Sequence, residues 1–245
     1  MKKIFLSSLI LLLAASCSKE NELQDLNSLI ILDNVYEQAF ISCTLKPDSS
    51  LINFDRFVDV FIADHQDKFD DIADLNIFFL DQAESVNKFI FEVKVDQDAD
   101  EKNKIEILNI FNDENLQNEA SCETLINLYQ GSTLKDFENN NPKPRLYAEI
   151  LDCNYSKDSN YGTFRLAIES LINHINKFSI DYQIGYVDKG ANQFYWINYY
   201  SNKDALSELQ EIWLSDREAS ENIKNEFELN AQCNTSRYYN FFELI

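Results

Sequence analysis

The sequence predicts an α+β fold built from two tandem copies of one strand–helix–strand–strand–helix–strand unit, and three observations carry that prediction. The stretch YAEILDCNYSKDSNYGTFRLAIESLINHINKF, from Tyr147 to Phe178, has a degenerate earlier copy, AFISCTLKPDSSLINFDRFVDVFIADHQDKF, from Ala39 to Phe69. Four cysteines keep the same step: Cys43 and Cys153 lie 110 residues apart, Cys122 and Cys233 lie 111 apart. Apolar residues then alternate at strand spacing and recur at helical spacing in the same order in both halves.

Met1 to Ser16 carries two lysines, an apolar run from Ile4 to Leu13 and the small residues Ala14, Ala15 and Ser16 before Cys17. The run is shorter than the roughly 20 residues needed to span a bilayer, so residues 1–16 read as a signal peptide. Small residues leading into a cysteine resemble the lipobox of bacterial lipoproteins, which implies acylation of Cys17; secretion with cleavage nearby is the plainer alternative. Ser18, Lys19 and Glu20 resemble the surface-export signal of Bacteroidota lipoproteins. Residues 17–34 would be the lipid-anchored tether, the membrane the partner of the anchor, and the outer membrane or cell surface the location.

The first repeat, residues 35–132, begins with an extended segment from Tyr36 to Lys46 and a polar turn at Pro47 and Asp48. Phe54, Phe57, Val58, Phe61, Ile62, His65 and Phe69 then form one helical stripe. Leu75 to Asp81 reads as a buried strand. Phe89, Phe91, Val93 and Val95 alternate with Ile90, Glu92 and Lys94, as in a half-buried strand. Asp98 and Glu101 suggest a capping box for a helix through Ile105, Leu108 and Ile110; a further helical piece and a strand near Leu125 to Tyr129 complete the unit. Residues 133–145, rich in Asn and containing Pro142 and Pro144, read as a linker.

The second repeat, residues 146–245, offers a strand at Tyr147 to Tyr155 and a helix with the stripe Phe164, Ala167, Ile168, Leu171, Ile172, Ile175 and Phe178. Strands follow at Asp181 to Val187 and Gln193 to Ser201. Helices at Ala205 to Leu214, capped by Ser201 and Asp204, and at Ala219 to Cys233 precede a closing strand at Arg237 to Leu244.

This order is the ferredoxin-like βαββαβ pattern, with an antiparallel sheet and helices on one face. Two such units would each leave a bare apolar sheet face, and packing those faces together removes both. The layout resembles the dimeric α+β barrel superfamily, which includes the antibiotic-biosynthesis monooxygenase and stress-responsive families, with the dimer fused into one chain. The strand cysteines, the run Phe194 to Tyr200, Ala205, Trp213 and Cys233 also resemble an uncharacterised family of marine bacterial proteins with this layout, which brings no activity with it.

In an exported protein the four cysteines read as two equivalent disulfides, Cys43 to Cys122 and Cys153 to Cys233, chosen among three connectivities by repeat symmetry. Free thiols and other pairings are the alternatives, and no Cys-x-x-Cys or nearby histidine supports metal. His65 and His174 are the two histidines. His65 falls on its helix stripe and His174 beside its own, which reads as packed or partly exposed imidazole rather than catalysis. Asp96, Asp98 and Asp100 begin like a calcium loop, but Glu101 and Ile107 occupy the positions for glycine and glutamate, leaving helix capping. Four glycines, at 131, 162, 185 and 190, include no P-loop or dinucleotide fingerprint, so no nucleotide or cofactor is expected.

Loss of the signal peptide would leave 19 basic against 42 acidic residues, a formal charge of −23. Such a surface repels phosphate backbones and anionic headgroups, excluding nucleic acid and electrostatic membrane binding. What remains is aromatic. Tyr182, Tyr186, Tyr195, Trp196, Tyr199, Tyr200, Tyr238 and Tyr239 fall on strands of the second repeat, where tyrosines can line a pocket for a small apolar or aromatic ligand; core packing is the plainer reading. His65 joins Tyr182, Tyr186, Tyr195, Trp196, Tyr199 and Tyr238 as a candidate ligand contact. With no acid–base constellation, a non-catalytic binding protein is favoured over a cofactor-free monooxygenase or isomerase, which fold analogy alone supports.

Overall fold

The first repeat of the computed structural model, which describes residues 35–69, 72–81, 87–138, 146–178, 180–234 and 236–245, opens with β1 (Val35–Leu45). The signal peptide, Cys17, the tether and residues 139–145 of the linker lie outside the described residues. Ser50 accepts from the Asn53 backbone N–H and starts α1 (Leu51–Asp64), which turns Phe54, Val58 and Phe61 inward; the short α2 (Gln66–Phe69) follows. Burying three such side chains contributes about 1.5–3 kcal/mol each. The hairpin of β2 (Ile72–Leu80) and β3 (Lys88–Asp96) precedes α3 (Glu101–Ile110), α4 (Glu114–Glu119), β4 (Ala120–Cys122) and β5 (Tyr129–Lys135).

The second repeat runs in the same order: β6 (Leu146–Tyr155), α5 (Tyr161–Ile175), β7 (Tyr182–Gly190), β8 (Gln193–Tyr200), α6 (Lys203–Ser215), α7 (Arg217–Asn230), β9 (Ala231–Cys233) and β10 (Arg237–Glu243). Asn160 and Thr163 form a reciprocal cap on α5, and Asn202 and Asp216 cap α6 and α7. Two expected caps differ. Asp100, not Asp98, caps α3, and Asn202, not Ser201 or Asp204, caps α6, because each sits where its side chain meets the free N–H groups of the first turn.

Every ladder is antiparallel. Within the repeats the strand order is β5-β1-β3-β2 and β10-β6-β8-β7, the ferredoxin-like order. Between them β5 pairs with β7 and β10 with β2, so eight strands close into a barrel with no free edge. The inner sheet faces meet as expected, and their edges are also hydrogen-bonded. Closure explains the main displacement from the expected elements. The strand placed at Leu125 to Tyr129 lies instead at Tyr129–Lys135, taking residues 133–135 from the linker run, because Gln130 to Lys135 must reach β7.

The short β4 and β9 extend the outer ends of β1 and β6, and each brings its cysteine opposite the strand cysteine. The disulfides are Cys43–Cys122 and Cys153–Cys233, both with α-carbons 4.0 Å apart. Backbone N–H groups of Glu123 and Asn234 donate to Ser42 and Asp152, so each cysteine pair is a non-hydrogen-bonded pair, the closer of the two antiparallel spacings.

The alternation of each strand now has two destinations. Ile41, Phe89, Phe91, Val93 and Leu75 face the helices of the first repeat, while Phe78, Ala148, Ile197, Tyr199, Tyr239 and Phe241 fill the barrel interior. No helix among the described residues is long and apolar enough to cross a membrane.

Candidate ligand-binding site

Gln38, Asn76, Glu92 and Lys94, which occupy the face of their strands opposite the helix-facing apolar residues, are sealed inside the barrel by its closure. The expectation of a half-buried β3 is therefore corrected: Glu92 is 0% exposed. Its carboxylate accepts from Gln38 Nε2, from Asn76 Nδ2 at 2.7 Å and from the Tyr199 hydroxyl at 2.6 Å. Lys94 Nζ lies 3.8 Å from Glu92 and 3.2 Å from Asp74, with the rings of Tyr36 and Tyr199 each 5.3 Å away. Burial pushes the Lys94 ammonium down, but the negative charges led by Glu92 outweigh it and leave it raised. Burial first, then Glu92, holds the Tyr199 phenol well above its usual value, so it stays a donor.

Two glycines make room for this cluster. A β-carbon on Gly131 would come within 2.4 Å of the Tyr36 ring, and one on Gly185 within 3.1 Å of the Tyr199 ring. Tyr36 and Tyr199 thus use the inner face of β5 and β7 that side chains would otherwise occupy.

At the opposite end of the barrel, where both disulfides lie, the interior opens into a recess of about 650 Å³. Its walls are the inward residues Phe40 and Ile90 of the first repeat and Ile150, Tyr195 and Tyr239 of the second; Ser42 and Asp152, equivalent in the two repeats, both line it. The segments following β4 and β9 complete it with Glu123, Leu125, Asn127, Asn234, Ser236 and Arg237. Phe40 and Tyr195 meet edge to face at 5.5 Å. Unlike the fully buried residues deeper in the barrel, Phe40, Ile90, Ile150 and Tyr195 pack on the interior cluster but are only half-buried, leaving part of their apolar surface facing the recess. Lys189 Nζ sits 3.0 Å from Asp152 and 4.1 Å above the Tyr195 ring.

The aromatic residues singled out in the sequence do not share one surface. Tyr195 lines the recess and Tyr199 belongs to the interior cluster. Trp196 packs on Phe164 and Phe227 of the helices, and Tyr186 on Tyr161, so both face the helix layer. Tyr182 also lies on that face, its hydroxyl and the Trp196 indole both donating to Asn198, whose amide donates to Glu149 at 2.8 Å. Tyr238 stacks on Tyr147 at 5.8 Å. His65 ends α1 against Phe61, 4.0 Å from Asp113, apart from the recess. His174 is the more buried histidine, at 3% exposure, because Trp213 of α6 and Phe178 cover its ring; this reverses the sequence ranking of the two.

The sequence matches no protein-family model and no curated protein. Solved structures do match. A mutant chlorite dismutase from Candidatus Nitrospira defluvii is 11% identical, with a TM-score of 0.56 over 84% of this chain and 91% of that one. The chain has the duplicated ferredoxin-like fold of the chlorite dismutases. A candidate chlorite dismutase, 11% identical over 85% of this chain and 95% of its own, gives 0.55. Candidate monooxygenases are also among the similar structures, and a heme-binding protein from Thermus thermophilus, 7% identical over 85% and 92%, reaches 0.49. At these identities the chlorite dismutase likeness is one of fold.

Proposed function

We propose that the chain is an exported, lipid-anchored binding protein that holds a small apolar or aromatic molecule in the recess at the barrel mouth. The observation that carries this reading is the half-exposed apolar wall formed by Phe40, Ile90, Ile150 and Tyr195 within a space large enough for such a ligand. Disulfides in both repeats fit an oxidising compartment and favour export. The neutral fluorophore N-phenyl-1-naphthylamine should bind with a stoichiometry of one, and Ile150→Trp, which fills the recess, should abolish the signal. Binding that survives Ile150→Trp would place the probe elsewhere and sink the reading.

The other reading, a cofactor-free oxygenase or isomerase, needs a cleft between helices and sheet. In the second repeat that layer is filled by Phe164, Phe194, Trp196 and Phe227, with ring centroids 4.7 to 6.0 Å apart in successive contacts, which favours binding over catalysis. A heme held through imidazole does not fit the described residues either: His65 and His174 are the chain's two histidines, one capping α1 and the other enclosed by rings, and neither lines the recess.

For the anchor, the full-length protein expressed in its own kind of cell should enter the detergent phase, and Cys17→Ser should move it to the aqueous phase. Failure to incorporate labelled fatty acid at Cys17 would remove the anchor from the proposal.

A further inference from the structure

Resting on the recess as the binding site, we propose that its ligand is an aromatic monocarboxylate and that Arg237 is the residue that selects the acid. Arg237 is the first residue of β10, opposite Ile150 in register and on the same strand face as Tyr239, so it stands over the apolar wall. Its side chain lines the recess, is exposed at the mouth and forms no ion pair among the described residues. The neighbouring cation is committed elsewhere: Lys189 Nζ holds Asp152 at 3.0 Å, which cancels the carboxylate that would otherwise repel an acid. Glu123, the remaining acid of the lining, is exposed at the rim, where solvent and salt screen it.

The recess thus combines one free guanidinium fork, the geometry that grips a carboxylate through two parallel hydrogen bonds, with the rings of Phe40, Tyr129, Tyr195 and Tyr239 below it. Four rings favour a flat, aromatic body over a branched aliphatic one. A chain of formal charge −21 disfavours a polyanion, whereas one carboxylate matched to one arginine leaves only the exposed Glu123 uncompensated at the recess.

The test compares 1-pyrenebutyrate with its neutral counterpart 1-pyrenebutanol by fluorescence titration of the intact chain. The acid should bind roughly two- to fivefold more tightly, the range of a charged contact at an exposed arginine. Its advantage should shrink as salt rises. Arg237→Gln should erase the difference by weakening the acid alone, and Arg237→Lys should restore part of it. Unchanged binding of N-phenyl-1-naphthylamine to Arg237→Gln verifies that the recess is intact. If the alcohol binds as tightly as the acid, or if Arg237→Gln leaves the acid unaffected, the arginine assignment is overturned while the recess stands. If neither pyrene compound nor the naphthylamine binds, the recess reading falls and the assignment falls with it.

Discussion

Lys94→Met should lower the free energy of unfolding by about 3–5 kcal/mol, because it leaves the Glu92 carboxylate charged and enclosed with only neutral donors. That loss is a large part of a typical total of about 5–15 kcal/mol. Urea unfolding of the variant, followed by circular dichroism, measures it. The double variant Glu92→Gln with Lys94→Met removes both charges, retains the side chain that Asn76 and Tyr199 contact, and should recover much of the loss. A single Lys94→Met variant within about 1 kcal/mol of the parent would mean that Glu92 is not carrying an enclosed charge, and the account of the barrel interior would have to be rewritten.

Removing Cys153–Cys233 by paired serine substitution should cost about 4 kcal/mol by the loop-entropy relation, since the bond closes a loop spanning 80 residues. Cys43–Cys122, spanning 79, should cost the same. The two bonds should differ in accessibility: Cys233 is exposed, whereas Cys122 is buried beside β1. Limited dithiothreitol followed by alkylation and peptide mapping should therefore label Cys153 and Cys233 first. Simultaneous labelling of all four cysteines would show that the bonds open only through unfolding of the whole chain.

The disulfides were legible in part because repetition constrains them: the spacings of 79 and 80 residues favour one equivalent bond within each repeat, and the pairing of β4 with β1 and of β9 with β6 decides it over the equally regular pairing between repeats. The repeat units were legible for a similar reason, since strand and helix periods are local. Glu92 and Lys94 were misread because local alternation with charged residues marks a half-buried strand, and that reading was not reconciled with the packing of the two sheet faces; the ladders β5–β7 and β10–β2, between residues about 50 and 160 apart, complete the enclosure. The scatter of the tyrosines could have been anticipated from parity, as Tyr195 and Tyr199 are odd-numbered on β8 and Trp196 is not. The recess had no such signal. Its lining comes from several strands and the segments after β4 and β9, and Arg237 acquires meaning only when Lys189 is seen to be occupied by Asp152.

Because β10 lies between β6 and β2, the last strand of the chain completes two ladders at once, one of them to the first repeat. The first repeat therefore cannot reach its final form as it emerges: its β2 edge, and the charged side chains that Tyr199 helps to enclose, wait on residues far downstream. Folding is tied to the arrival of the carboxyl end, with contacts of long sequence separation forming late and slowly. A chain cut short before Arg237 would present an unzipped seam running the length of the barrel, open to any strand that could fill it.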